Sequence, residues 1–140
     1  FLLTRSSDLV VKVVATTTQC GTKQKQYDMQ SVSNIKQSER LLCLLGNDST
    51  ADYWRTPTVG GYTVSTERKS NSKPCWSVQA LMDMLYEFED EENGTAMPFI
   101  NCEENTVYFE ANGFLVEDFA ASTLLIDNLI DAIEWQIRKE

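Results

Sequence analysis

The stretch YEFEDEENG, between Tyr86 and Gly94, holds the densest group of side chains that could do chemistry. Carboxylates can bind a divalent cation, or act as an acid and a base when one of a pair has a raised pKa. An EF-hand calcium loop needs ligands at alternating positions before its glycine, and EDEENGTAMPFINCE does not provide that order. A glycosidase needs two carboxylates held across a cleft, which a polar loop does not predict. The acidic residues of the stretch are Glu87, Glu89, Asp90, Glu91 and Glu92.

The chain contains no histidine. Because histidine is the commonest general base and metal ligand, its absence excludes Ser-His-Asp and Cys-His catalysis and a histidine-containing zinc site. The pair Gly60-Gly61 stands outside any phosphate-binding motif and predicts a turn. The sequence therefore predicts no cofactor, no metal site and no catalytic residue, and it favours a protein that is not an enzyme.

The four cysteines, Cys20, Cys43, Cys75 and Cys102, are far apart in the sequence. None belongs to a C-x-x-C pair, so the spacing does not support a four-cysteine zinc site. We expect small, buried, reduced side chains of a cytoplasmic protein.

Charge is distributed unevenly along the chain, whose net charge is −9. Residues 1–28 carry +2 and residues 29–140 carry −11, and fourteen acidic residues but no basic residue lie between Lys73 and Arg138. Contacts to phosphates need cations, so direct binding to nucleic acid is not expected. A run of 18 apolar residues is also missing, so no transmembrane helix is expected.

An acidic face of this size has two readings. It can be a solvated surface that keeps a small protein soluble, or a recognition surface for a basic protein partner. In the second reading it could imitate the phosphates of a nucleic acid and inhibit a nucleic-acid-binding protein. The contact would be formed by Glu87, Glu89, Asp90, Glu91, Glu92, Glu103 and Glu104.

Apolar periodicity and capping residues predict several helices. Ser33, Ser77 and Ser122 are the expected N-caps of three of them, and Gly46 is expected to end the first. A short helix over STADYWR is expected between the first and second of these, and the second is expected to continue through Tyr86–Phe88. The predicted helices therefore cover 33–45, 49–55, 77–88 and 122–139.

Short β-branched and aromatic segments predict a small antiparallel sheet. AMPFINC and TVYFEA form the expected hairpin, with Val107 and Phe109 on one face, and Asn112-Gly113 turns the chain after it. Strands are also expected over Asp8–Thr18 and Tyr62–Glu67. These elements predict one α+β domain over residues 29–140, with several helices packed on the sheet and residues 1–28 as an N-terminal extension that starts before a natural Met29.

Trp135 lies off the apolar stripe of the C-terminal helix, which Ile126, Ile130, Ile133 and Ile137 form. A tryptophan in such a position is most often a core residue, but it can also be an exposed anchor in an interface. We therefore include Trp135 among the candidate contact residues, and we expect that this helix could form the seam of a homodimer.

The order of segments along the chain resembles that of a group of known proteins. IKQSERLLCLLGNDSTADYWR is followed by a variable loop, PCWSVQALMDML, a hairpin and LIDNLIDAIEWQI. This order, over residues 35–137, resembles small uncharacterised proteins encoded on phages and mobile elements of gut Bacteroides-type bacteria. In those proteins QSxRLLxLG…P.TADM precedes PAWSLxxLLxLLP and a closing amphipathic helix; Cys75 and the acidic tract depart from the pattern. The resemblance implies a mobile-element context and no activity.

The sequence thus favours a non-enzymatic interaction protein of a mobile element, with an acidic face for a basic protein. Two other hypotheses stay open: a carboxylate- or metal-dependent enzyme of unknown substrate, and a purely structural homo-oligomer.

Overall fold

The computed structural model describes residues 12–13 and 31–140 of the chain. Three helices and eight strands lie in these two segments. The helices are α1 (Ile35–Leu45), α2 (Val78–Met82) and α3 (Leu125–Lys139). The strands are β1 (Lys12–Val13), β2 (Tyr53–Thr58), β3 (Gly61–Ser65), β4 (Lys73–Cys75), β5 (Phe88–Asp90), β6 (Gly94–Asn101), β7 (Thr106–Ala111) and β8 (Phe114–Phe119).

The larger sheet is built on β6, the longest strand described. Its order is β1-β6-β7-β8. The edge of β6 that faces away from β7 pairs with two strands, with β5 along its first part and with β1 along its later part. All of these pairs are antiparallel except β1 with β6, which is parallel. The predicted hairpin of β6 and β7 is confirmed, and Val107 and Phe109 are both fully buried on one face.

The turn after β7 also follows the prediction. Asn112 and Gly113 have φ values of 52° and 83°, and these left-handed conformations are those that a type I′ hairpin turn requires. The strand that follows, β8, was not predicted, because its alternation of apolar and acidic residues is weak.

The smaller sheet has the order β3-β2-β4 and is antiparallel throughout. The short helix predicted over STADYWR is wrong, because Tyr53–Thr58 is the central strand of this sheet. Aromatic and β-branched residues favour strands, and here the buried Trp54 and Thr56 alternate with the half-buried Tyr53 and Arg55. The strand predicted at Tyr62–Glu67 is confirmed as Gly61–Ser65.

Helix α1 begins with a capping box. Asn34 is the N-cap, not the predicted Ser33, since the Asn34 side chain accepts from the Gln37 backbone and Gln37 accepts in return from the Asn34 N–H. Ser33 is instead fully buried and bonds the Ser38 hydroxyl at 2.7 Å. Gly46 ends the helix in the left-handed conformation, as predicted.

Helix α3 carries the apolar stripe that packs on the larger sheet. Its residues Ile126, Leu129, Ile130 and Ile133 are at most 2% exposed. The helix begins after Leu124, which has no side-chain cap, so the prediction that Ser122 is the N-cap is wrong. The Ser122 hydroxyl lies just before the helix, where it accepts from the Leu124 N–H and donates to Asp127. The core between this helix and the sheet also contains Leu41, Trp76, Leu81, Leu85, Ala96, Ile100, Val107 and Phe109.

The second predicted helix is much shorter than expected. Ser77 is its N-cap, as predicted, but α2 ends at Met82 and Phe88 already belongs to β5. The reason is a contact from α3: the buried Gln136 amide donates to Met84 O at 3.1 Å and accepts from Tyr86 N at 2.8 Å. These bonds give the Met84 carbonyl and the Tyr86 N–H partners outside α2, so neither group needs a partner within a longer helix.

The expectation for the cysteines needs correction at two positions. Cys75 is a buried free thiol, but Cys43 is free and exposed on α1. Cys102 is disulfide-bonded and therefore not reduced. Cys102 is 5% exposed at the end of β6.

The architecture is α+β, as predicted, with two small sheets where one was expected. The prediction that residues 1–28 are an extension lies outside the described residues, except for Lys12–Val13 in β1. None of the described helices is long and apolar enough to cross a membrane.

Candidate functional site: the acidic groove

The acidic tract is a hairpin, not a loop that follows a helix. Glu89 pairs with Thr95 and Asp90 with Gly94, and the chain turns between them. The Asp90 carboxylate caps this turn, since it accepts from the Asn93 N–H at 3.0 Å and from the Asn93 side chain at 3.1 Å. The Asp90 side chain therefore has a structural role, whereas Glu91 and Glu92 project from the exposed turn.

Gly94 leaves room for the Asn112 side chain of the neighbouring turn. Its φ of +94° is one that side chains rarely adopt, and a Cβ there would lie 2.8 Å from the Asn112 amide nitrogen. That nitrogen donates to Asn93 O. The acidic turn is thus joined by hydrogen bonding to the β7–β8 turn.

A groove of about 540 Å³ runs between this hairpin and the last turn of α3. Phe88 from β5 and Gln136 from α3 line it, and its rim is acidic. The carboxylates on the rim are Glu89, Asp90, Glu91, Glu92 and Glu140.

The only cation that lines the groove within the described residues is Lys139. Its ammonium lies 5.0 Å from the centre of the Phe88 ring and 4.9 Å from that of Trp135, and this distance is within the range of cation–π attraction. The groove therefore combines aromatic faces with carboxylates, which are the two groups that attract a lysine or arginine side chain.

Tyr86 also lines the groove. Its hydroxyl donates to the Glu140 carboxylate. Burial, followed by this hydrogen bond and the negative charge of Glu140, raises the Tyr86 pKa to about 12. The phenol is therefore neutral at ordinary pH and acts as a hydrogen-bond donor.

Trp135 is half-buried and belongs to an aromatic cluster. Its ring lies 5.4 Å from Phe88, 5.1 Å from Phe109 and 5.7 Å from Phe119, measured between ring centres. Trp135 itself does not line the groove, and its link to the groove is the contact of its ring with Lys139. The apolar stripe of α3 is buried inside the chain, and dimerisation through this helix stays a prediction.

The structure separates the predicted contact residues into two groups. Glu87, Glu89, Asp90, Glu91 and Glu92 precede β6, whereas Glu103 and Glu104 follow it. An eight-residue strand spans roughly 26 Å. Glu103 and Glu104 are exposed in a turn whose backbone N–H groups bond the Asn101 side chain. One compact ligand could not contact both groups.

Glu87 is exposed and lies just before β5, outside the lining of the groove. The residues that sequence reasoning missed are Tyr86, Gln136, Lys139 and Glu140. Tyr86 was assigned to a helix, and the other three residues lie about fifty positions after the acidic hairpin in the sequence. No local pattern signals that they meet the hairpin.

Two segments that carry the resemblance described above, TAD at 50–52 and PCWS at 74–77, contact each other away from the groove. The Trp76 indole N–H donates to the Thr50 hydroxyl at 2.9 Å. The Asp52 carboxylate accepts from the Ser77 N–H at 2.8 Å and from the Ser77 hydroxyl. Both segments therefore have a structural explanation, since Asp52 holds the residue that caps α2.

In residues 12–13 and 31–140, no group of three or more acidic or cysteine side chains is arranged to hold a metal ion. The acidic rim of the groove thus lacks the convergence of ligands that a divalent cation needs. Comparison of the chain with known proteins found no matching family model, no matching curated protein and no matching solved structure.

Proposed function

We propose that the protein is a non-enzymatic interaction module whose acidic groove binds a basic segment of a partner protein. A lysine or arginine of the partner would place its aliphatic stem against Phe88 and its charge among Glu89, Glu91 and Glu92. The observation that carries the proposal is the position of Lys139, whose ammonium lies over two aromatic rings in a groove rimmed by carboxylates. The chain's own cation occupies the kind of environment that a partner's cation would find.

The charge of the surrounding surface supports a basic partner. Residues 74–140 carry fifteen acidic and two basic residues, for a net charge of −13. Such a field would speed association with a cationic partner and reject an anionic one. A nucleic-acid-binding protein is one such partner, with the hairpin imitating a short run of phosphates. A mobile-element context and a cytoplasmic location belong to the same proposal, and they rest on the sequence resemblance and on composition.

Fluorescence anisotropy with a labelled peptide of alternating lysine and serine tests the proposal. We expect saturable binding at low salt that weakens as salt screens the charges. A variant with Glu89→Gln, Glu91→Gln and Glu92→Gln should bind roughly tenfold more weakly, because three exposed charge contacts are lost. Asp90 is left intact because it caps the turn.

The matched control neutralises three acidic residues elsewhere, with Glu104→Gln, Glu117→Gln and Asp118→Asn. All three are exposed and lie outside the groove. If the control weakens binding as much as the hairpin variant, the general negative charge and not the groove attracts the peptide, and the proposal fails. Binding that is indifferent to both variants and to salt would also contradict it.

A further inference from the structure

A second groove lies between α1 and the smaller sheet. Its volume is about 220 Å³. Ile35 and Leu42 of α1 form one wall, and Pro57 and Tyr62 of the sheet form the other. The groove shares no lining residue with the acidic groove.

The register of the sheet explains why apolar and cationic side chains meet on the second wall. Pro57 pairs with Tyr62, and Arg55 pairs with Val64 on one side and with Lys73 on the other. Because paired residues and alternate residues point to the same face of a sheet, these five side chains lie together on the side that faces α1.

Apolar side chains on both walls are unusually accessible. The exposed fractions are 42% for Ile35, 38% for Leu42 and 55% for Tyr62. Val64, next to the groove on the same face of the sheet but outside its lining, is 42% exposed. These are four of the eight large exposed apolar side chains in the described part of the chain. Apolar side chains that gather in a concave site and stay in contact with water are typical of a binding groove.

Two cations flank the groove, although acidic residues outnumber basic ones in the chain by 21 to 12. Arg55 donates to the Ser33 carbonyl at 2.8 Å and lies 5.7 Å from the centre of the Tyr62 ring. Lys73 is exposed. Neither forms an ion pair with a carboxylate of the described residues. Glu39 of α1 also lines the groove, on the helix side.

We propose that this groove binds a peptide segment of a partner protein that combines aliphatic side chains with a carboxylate. An aliphatic side chain would fill the space between Leu42 and Tyr62, and the carboxylate would pair with Arg55 and Lys73. Charge complementarity selects an acidic occupant. The volume favours a side chain of a peptide over a whole small molecule, because pockets for drug-sized molecules measure roughly 300–1,000 Å³. This inference is independent of the acidic groove, and either can fail without the other.

The test measures binding of a fluorescein-labelled peptide of alternating leucine and aspartate to the full chain by anisotropy. A matched peptide carries asparagine in place of aspartate. We expect saturable binding of the aspartate peptide and at least roughly tenfold weaker binding of the asparagine peptide. Leu42→Asp and Lys73→Glu should each weaken binding of the aspartate peptide by a similar factor.

Leu115→Asp is the control variant, since Leu115 is 58% exposed on β8 and distant from this groove. It should bind the aspartate peptide as the unaltered chain does. Tyr62→Ser, on the opposite wall, provides a second apolar variant, and thermal unfolding establishes that each variant is folded.

Three results would overturn the inference: no saturable binding of the aspartate peptide, equal binding of the asparagine peptide, or unchanged binding by folded Leu42→Asp, Tyr62→Ser and Lys73→Glu. Sedimentation velocity adds a fourth. A dimer that Leu42→Asp dissociates would mean that a second copy of the chain occupies the groove.

Discussion

Arg40 joins α1 to α3 through two carboxylates. Its guanidinium donates to Asp131 at 2.8 Å and to Glu134 at 2.6 Å, and Arg138 donates to the second oxygen of Glu134 at 2.6 Å. The hydrogen bond from Arg40 is the main reason that the Glu134 pKa lies below its ordinary value of 4.5. Because folding lowers the Glu134 pKa, the ionised carboxylate stabilises the fold at pH values above the ordinary pKa. This contribution is lost as the pH falls through the lower pKa of the folded state.

Arg40→Ala should therefore destabilise the protein in a pH-dependent way. Since the Arg40 side chain is 42% exposed, water screens the pair, and we expect a loss of only about 0.5–1 kcal/mol at neutral pH. Urea unfolding at neutral pH and at about pH 3 measures the difference. The loss should shrink in acid as Glu134 is protonated. An equal loss at both pH values would contradict the electrostatic explanation and would point to lost packing of the arginine stem.

At the scale of single residues, the sequence predicted those features that depend on neighbours along the chain. Gly46, Ser77 and the Asn112-Gly113 pair have the roles expected of them, since caps and turns are local. It could not predict that Gln136 ends α2 or that Lys139 lies over Phe88, because both contacts join residues about fifty positions apart. The positions of Gln136 and Lys139 in the acidic groove depend on such contacts.

At the scale of elements, the segment from Tyr53 to Cys75 differs most from expectation. STADYWR was predicted as a helix, but Tyr53, Trp54 and Thr56 pair in a sheet with β3 and β4. The tertiary context that favours the strand includes Asp52, whose carboxylate reaches across to Ser77. The predicted helix over 49–55 would instead have placed Asp52 within its own turns.

Asp52→Ala should weaken α2 and the strands around it. The change removes two hydrogen bonds to the residue that caps a five-residue helix, and it leaves the Ser77 N–H without that acceptor. We expect a loss of about 2 kcal/mol in the free energy of unfolding. Urea unfolding measures it, and Asp52→Asn, which keeps one acceptor oxygen, should lose less. Stability within about 0.5 kcal/mol of the unaltered chain would contradict this role.

At the scale of the whole molecule, charge divides the chain into two unlike parts. Residues 31–73, which contain α1 and the smaller sheet, carry six basic and four acidic residues, whereas residues 74–140 carry a net charge of −13. The sequence predicted this asymmetry from composition alone. It could not predict that β6 separates Glu103 and Glu104 from the hairpin, because the distance depends on the length and direction of a strand.

The central claim is that a basic partner binds at the acidic groove and not across the acidic half in general. Mapping by NMR, with amide shifts recorded as the lysine–serine peptide is added, tests it most directly. We predict shifts concentrated at Tyr86–Glu92 and Gln136–Glu140, with little change at Glu103 and Glu104, and loss of all shifts at high salt. Shifts spread evenly over the acidic residues, or centred on Glu103 and Glu104, would contradict the account.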